Sequence, residues 1–221
     1  MNQNGYVILE GNIGVGKSTF SRSLCEAFKE LGLNAEAVPE PDETNNPFLA
    51  LYYKDPAAHA YEMQCHLLHK RFESTQYAVA GARSGHGWYI LDRSYYGDIC
   101  FARVQMKDGF FTPEQYASYL SAHKSMRRFL EPPTAAIFLK ASTTTLNRRI
   151  AGRSRPCESG IAASYLESLQ DEIDILEAEM SRRTRVIHLD WDADQTPAEL
   201  KASARSVALR LASMVTDDFD F

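Results

Sequence analysis

Hydrophobic and polar positions along this chain alternate between short apolar runs and longer stretches of helical period. The first apolar run, Tyr6 to Leu9, reads as a buried strand. Behind it Phe20, Leu24, Phe28 and Leu31 fall on one helix face, and Gly32 stands where a helix-ending C′ residue belongs. Residues 34–38 form a second short strand, stopped by Pro39-Glu40-Pro41, and 42–46 are polar and loop-like. Asp55-Pro56, an N-cap followed by proline at N1, opens a long helix to about Ala82 with Tyr61, Leu68 and Phe72 on its apolar face. Trp88 to Leu91 is a third strand, ending at Asp92-Arg93-Ser94. Thr112-Pro113 starts a helix to about Leu130, Thr134 to Leu139 is a fourth strand, and Thr143 to Ile150 a short helix. Residues 152–159 are arginine-rich and irregular, 161–180 helical, and Arg185 to Leu189 a fifth strand. Thr196 to Glu199 has the form of a capping box and begins the last helix.

Strands alternating with helices predict an α/β fold, a five-stranded parallel sheet covered by helices on both faces. Ligands gather beyond the carboxyl ends of such strands. That rule puts residues 11–18, Glu40, Asp92-Arg93 and the exit of the fourth strand on one rim. A chain of 221 residues suits a single domain, 1–221. A net charge of −5 argues against wholesale nucleic-acid binding, and no apolar run is long enough to span a membrane. The first strand begins too early for a signal peptide, and the four cysteines show no paired spacing. Both features fit a reducing, cytoplasmic setting.

The rim carries chemistry. Gly11-Asn12-Ile13-Gly14-Val15-Gly16-Lys17-Ser18-Thr19 has the spacing of a Walker A phosphate loop, between a strand and a helix as that motif requires. Its glycines let backbone N–H groups turn inward to phosphate oxygens, and the helix start adds its positive dipole end. Lys17 is expected to reach the β and γ phosphates of ATP, and the Ser18 hydroxyl to hold Mg²⁺. Asp92, closing an apolar strand, is placed either as a Walker B-type acid, on Mg²⁺ directly or through water, or as a helix N-cap. Glu40, fixed between prolines, is a candidate proton acceptor for a substrate hydroxyl, or an exposed loop glutamate. Arg148, Arg149, Arg153 and Arg155 form a basic patch suited either to a cationic flap over ATP or to solvent. Gln64 suits reading a nucleobase edge, although its spacing alone favours the helix surface. His66 and His69 lack a third metal ligand at sensible spacing, and the acidic end, 217–221, reads as a frayed terminus.

Taken together and in order, the phosphate loop preceded by Glu10, Glu40-Pro41, residues 53–56, Gln64, Asp92-Arg93-Ser94 and residues 149–158 resemble the deoxyribonucleoside kinase family, from Val7 to about Leu189. The resemblance implies a P-loop kinase fold with an arginine-rich lid at about 152–159. It implies phosphorylation of the 5′-hydroxyl of a 2′-deoxyribonucleoside by ATP and Mg²⁺ in nucleotide salvage. Within it Glu40 matches the general base, and Arg93 the arginine holding that carboxylate and the transferring phosphate. Tyr53 and Glu158 match the pair on the sugar 3′-hydroxyl, Gln64 the base reader, and Arg153 and Arg155 the lid arginines. Arg149 matches the residue stacked on the ATP adenine, near residues 190–192. Arg71, with Asp98, matches the pair that turns members toward deoxyadenosine, deoxyguanosine or deoxycytidine and away from thymidine; a surface salt bridge is the plainer account of that pair. A homodimer is a further implication. Asp92 in place of the animal enzymes' glutamate, Asn45 in place of their tryptophan and a shorter helix segment before Tyr53 resemble bacterial or phage-like members. A thymidylate-type nucleoside monophosphate kinase is the nearest rival, but Glu40 would repel an anionic acceptor. A non-catalytic subunit on the same fold would have no need of Lys17, Glu40 and the lid arginines.

Overall fold

The central strand β1 (Gly5–Gly11) is buried along its whole length, which its unbroken apolar run requires once helices cover both faces. The computed structural model describes residues 3–41, 46–153 and 161–214, apart from the side chain of Tyr53. The expectations placed on Asn45, Arg155, Glu158 and the Tyr53 side chain lie outside these residues.

In chain order β1 is followed by α1 (Lys17–Glu30), β2 (Ala35–Val38), α2 (Leu49–Lys54), α3 (Pro56–Arg83), β3 (Trp88–Asp92) and α4 (Tyr95–Lys107). Then come α5 (Pro113–Arg127), β4 (Ala135–Lys140), α6 (Thr143–Arg153), α7 (Ala163–Met180), β5 (Arg185–Asp190) and α8 (Pro197–Ser213). The strands form one five-stranded sheet in the order β2-β3-β1-β4-β5. Every pairing is parallel, with Leu9 of β1 beside Asp92 of β3 and Ile137 of β4. The chain leaves β1 first toward β2 and β3 and later toward β4 and β5, so the loop after β1 sits where the winding reverses.

Alternate residues of each strand feed the two faces. Val7, Leu9, Ile90 and Ile137 pack against Phe20, Leu24 and Phe28 of α1 and Val207 and Leu211 of α8. Ile8, Leu91 and Phe138 pack on the other face against Val104 of α4 and Leu169 and Ile173 of α7. A smaller cluster, with Leu68, Tyr95 and Tyr119, joins α3, α4 and α5. Local signals held where chemistry is local. Asp55 caps α3 with Pro56 at its start, and Thr112 and Thr196 each form a capping box.

The helical segment before Tyr53 is α2. Two readings need correction. Gly152 and Arg153, expected to be irregular, form the last turn of α6, and the rest of the expected lid lies outside the described residues. The cap of α4 is Ser94, whose Oγ accepts from the backbone N–H groups of Tyr96 at 3.0 Å and Gly97 at 3.4 Å; Asp92 is not the cap.

Candidate active site

The phosphate loop curls because its glycines adopt backbone conformations closed to other residues. Gly11 has φ 148 and Gly14 φ 81. A Cβ on Gly11 would lie 2.5 Å from the Leu139 carbonyl, and one on Gly14 2.7 Å from Ile150 of α6. The Asn12 side chain faces away from the loop's concavity. Its Nδ2 donates to the Leu166 carbonyl at 2.8 Å, tying the loop to α7, while its Oδ1 accepts from the Ile13 N–H. Val15 anchors the loop in the core. Gly16 is the N-cap of α1, and Ser18 and Thr19 are exposed in its first turn.

Lys17 is buried, with Nζ donating to the carbonyls of Gly11 at 3.1 Å and Asn12 at 2.8 Å. Burial, aided by the Arg93 guanidinium, lowers its pKa to about 7 against the pull of Asp92, Glu40 and Glu10. Its ammonium thus lacks an anion matched to its burial, the environment that a polyphosphate would complete.

Asp92 leaves the end of β3 and meets the loop: the Ser18 hydroxyl donates to its Oδ2. Its Oδ1 is buried without a hydrogen-bond partner among the described residues. A carboxylate oxygen left open beside a hydroxyl suits a hard divalent cation.

Arg93 follows in the left-handed region, at φ 66, which a non-glycine residue holds only when its surroundings fix it. Its N–H donates to Leu9, Nη1 to the Gly11 carbonyl at 3.1 Å and Nε to Glu40 Oε2 at 2.9 Å. One guanidinium therefore spans the phosphate loop and Glu40. Arg71 of α3 grips the other carboxylate oxygen, donating from Nη2 to Glu40 Oε1 at 2.5 Å. Burial pushes the Glu40 carboxyl up, but Arg93, Arg71 and Lys17 outweigh it and hold the pKa down to about 2. The side chain remains 31% exposed, so a ligand can reach it.

The far side of Arg71 is a buried network. Nη1 donates to Asp98 Oδ1, and the Tyr119 hydroxyl donates to Asp98 Oδ2 at 2.5 Å. Asp98 is fully buried and Arg71 4% exposed, so the pair is no surface salt bridge. Both arginines lie over the ring of Phe101, at 5.2 and 4.6 Å from its centroid. Gln64, which helical spacing favours for the surface, is fully buried, because α4 lies across that side of α3. Its Nε2 donates to the Asp98 carbonyl at 3.1 Å.

The basic patch divides. Arg148 and Arg149 both pair with Asp194. Arg149 also donates to the carbonyls of Trp191 at 2.8 Å, Ala193 at 3.0 Å and Val15 at 3.3 Å. It thereby links the loop after β5 to the phosphate loop, at the place expected for a donor base. Arg153 ends α6 and is exposed.

Lys17, Ser18, Asp92, Arg93, Glu40, Arg71 and Asp98 are thus joined in one continuous site. Sequence reasoning missed Phe101 and Tyr119, and named Glu10 only as the residue before the phosphate loop. Phe101 lies three residues after Asp98 on α4, a spacing that shares a face. Glu10, the next-to-last residue of β1, is buried and accepts from Ser94 Oγ at 2.6 Å; burial raises its pKa. Tyr119 is separated from Asp98 by a turn and most of a helix, and nothing in the local pattern links them.

A fold of this winding, with a phosphate loop facing a carboxylate clamped by arginines, defines a phosphate-transferring α/β protein. Comparison with known proteins narrows the class. The deoxynucleoside kinase family model matches residues 7–210, and the chain belongs to that family. It is 34% identical over 187 residues to a deoxyguanosine kinase of Dictyostelium discoideum, covering 84% of this chain and 64% of that one. It is 28% identical to a deoxyadenosine kinase of the same organism, covering 91% of this chain and 80% of the relative. Among solved structures, the deoxyadenosine kinase of M. mycoides with the products dCMP and a flexible dCDP superposes with a TM-score of 0.78 at 25% identity, covering 95% of this chain and 100% of that one.

Proposed function

We propose that this protein transfers the γ-phosphoryl group of ATP to the 5′-hydroxyl of a 2′-deoxyribonucleoside, in nucleotide salvage. The observation that carries this reading is Glu40, a partly exposed carboxylate held by Arg93 and Arg71 beside the phosphate loop. A carboxylate on the acceptor side suits a neutral hydroxyl and repels a phosphate, which favours a nucleoside over a nucleoside monophosphate.

The residues divide the work. Lys17 and the loop N–H groups orient the β and γ phosphates, and Arg93 neutralises charge where donor and acceptor meet. Glu40 binds the acceptor hydroxyl and takes its proton. With a pKa near 2 it is a weak base in the free enzyme. The proton therefore moves late, when the new P–O bond has made the hydroxyl strongly acidic. Ser18 and Asp92 would hold Mg²⁺, directly or through water. When bound, the ion neutralises charge on the β and γ oxygens. Arg149 and the 191–194 loop border the donor base, and the family resemblance assigns Arg153 and Arg155 to a lid at about 152–159. The family resemblance assigns Tyr53 and Glu158 to the sugar 3′-hydroxyl. Gln64 reads the base, and Arg71 with Asp98 favours deoxyadenosine, deoxyguanosine or deoxycytidine over thymidine.

Among the described residues no helix is long and apolar enough to cross a membrane. We take the chain as one catalytic domain, working in the cytoplasm as a homodimer. Incubation with γ-labelled ATP, Mg²⁺ and a panel of deoxynucleosides and their monophosphates tests the reading. Label is expected in deoxynucleoside monophosphates. Label only in diphosphates would support the monophosphate-kinase alternative, and no transfer a non-catalytic role.

A further inference from the structure

Gln64 does not stand alone beneath the proposed base site. Gln105, two turns beyond Asp98 on α4, is 1% exposed and donates from Nε2 to Gln64 Oε1 at 3.1 Å. Gln64 in turn donates from Nε2 to the Asp98 carbonyl at 3.1 Å. The direction of this relay follows from chemistry. The Asp98 carbonyl has no proton, so it must face the Gln64 NH₂ group; Gln64 Oε1 then faces Gln105, which must present its own NH₂ group. Turning over either amide alone would set two acceptors or two donors against each other. Each of these contacts uses only part of the Gln64 amide. Among the described residues one N–H and one lone pair remain, a donor and an acceptor side by side, which is what a base edge carrying an amino group beside a ring nitrogen requires.

Packing does not explain Gln105. Its Oε1 is buried with no hydrogen-bond partner among the described residues. An unbranched apolar side chain of similar length would fill the same space and leave no buried acceptor unmet. The amide at this position serves its one made bond, to Gln64.

We propose that Gln105 is a positioning residue for base selection: it locks the Gln64 amide in one orientation and thereby fixes which base edge the site accepts. It does not touch the substrate. The proposal rests on Gln64 reading the base, and the test separates the two ideas.

The test is a double-mutant cycle on purified full-length enzyme with Gln64→Met, Gln105→Met and the double variant, measuring kcat and KM for deoxyadenosine, deoxyguanosine, deoxycytidine and thymidine. Gln105→Leu substitutes if Gln105→Met does not fold, as judged by thermal melting. In the wild-type background Gln105→Met is expected to reduce the ratio of kcat/KM between best and poorest nucleoside by roughly tenfold, the scale of a misaligned polar contact, mainly through KM. In the Gln64→Met background it is expected to change that ratio less than about twofold, because the amide it orients is gone. Equal reductions in both backgrounds would mark Gln105 as a packing residue and overturn the proposal, as would an unchanged ratio in the wild-type background. Selectivity unchanged by Gln64→Met itself would overturn the base-reading assignment, and the proposal with it.

Discussion

Removing Asp98 tests the buried network in the most demanding way. Arg71 lies between two carboxylates, and Asp98 between Arg71 and the Tyr119 hydroxyl, all but Glu40 nearly or fully out of solvent. Removing one member of a buried ion pair typically costs about 3–5 kcal/mol, because the other charge stays buried. Arg71 keeps Glu40, so Asp98→Ala belongs at the lower end, about 3 kcal/mol. For a chain of this size each kcal/mol moves the melting temperature by about 2–4 °C, so Asp98→Ala is expected to melt roughly 6–12 °C below wild type. Arg71→Met leaves the buried Asp98 carboxyl with the Tyr119 hydroxyl as its one side-chain partner among the described residues, and is expected to be at least as destabilising. The double change Arg71→Met with Asp98→Ala removes both charges, so its loss is expected to fall short of the sum by about 1–3 kcal/mol. Differential scanning calorimetry of the four proteins reads this directly. The double variant is also expected to gain kcat/KM for thymidine relative to deoxyadenosine, since the arginine no longer crowds the place of a 5-methyl group and the carboxylate no longer seeks an amino group. Single variants melting within about 2 °C of wild type, with strictly additive losses, would refute the coupling. A wild-type enzyme that prefers thymidine would refute the specificity argument.

Two further outcomes follow from the same geometry. The Glu40 carboxyl ionises at about 2 in the fold against 4.5 for the free group, so its pairing contributes stability that is complete above pH 4.5 and lost as pH falls toward 2. Glu40→Gln is therefore expected to melt below wild type at neutral pH, with a gap that narrows as pH drops below 4.5; a gap independent of pH would contradict the pairing. Asp92→Asn is expected to raise the Mg²⁺ concentration giving half-maximal activity by about tenfold or more, and an unchanged Mg²⁺ dependence would remove Asp92 from the cation site.

How much of this was legible in the sequence depended on how local each feature is. The strand, glycine loop and helix at the front of the chain are set within a few residues, and they form as the spacing predicts. The parallel sheet followed from alternation of element types. Glu40 was legible as a carboxylate fixed between prolines, but its two arginines come from α3 and from the end of β3, and no local pattern joins them. Gln64 shows the limit clearly: a polar residue in a helical pattern reads as surface, and only the packing of α4 over α3 buries it. The arginine patch shows the same limit. Arg148 and Arg149 are caught by Asp194 from beyond β5, a partner that sequence distance conceals. Asp92 was legible as a strand-end acid with alternative roles; Ser94, not Asp92, caps the helix, and Asp92 instead accepts from Ser18.

The central claim is that Glu40, clamped by Arg71 and Arg93, takes the proton of the deoxynucleoside's 5′-hydroxyl. Side-by-side turnover of wild type and Glu40→Gln with Mg²⁺, ATP and deoxyadenosine, together with nucleoside binding by calorimetry, tests it most directly. A kcat lower by ~10²-fold or more with nucleoside affinity changed only a few-fold is expected, the signature of a lost proton acceptor rather than a lost binding contact. A Glu40→Gln enzyme that turns over at the wild-type rate would contradict it.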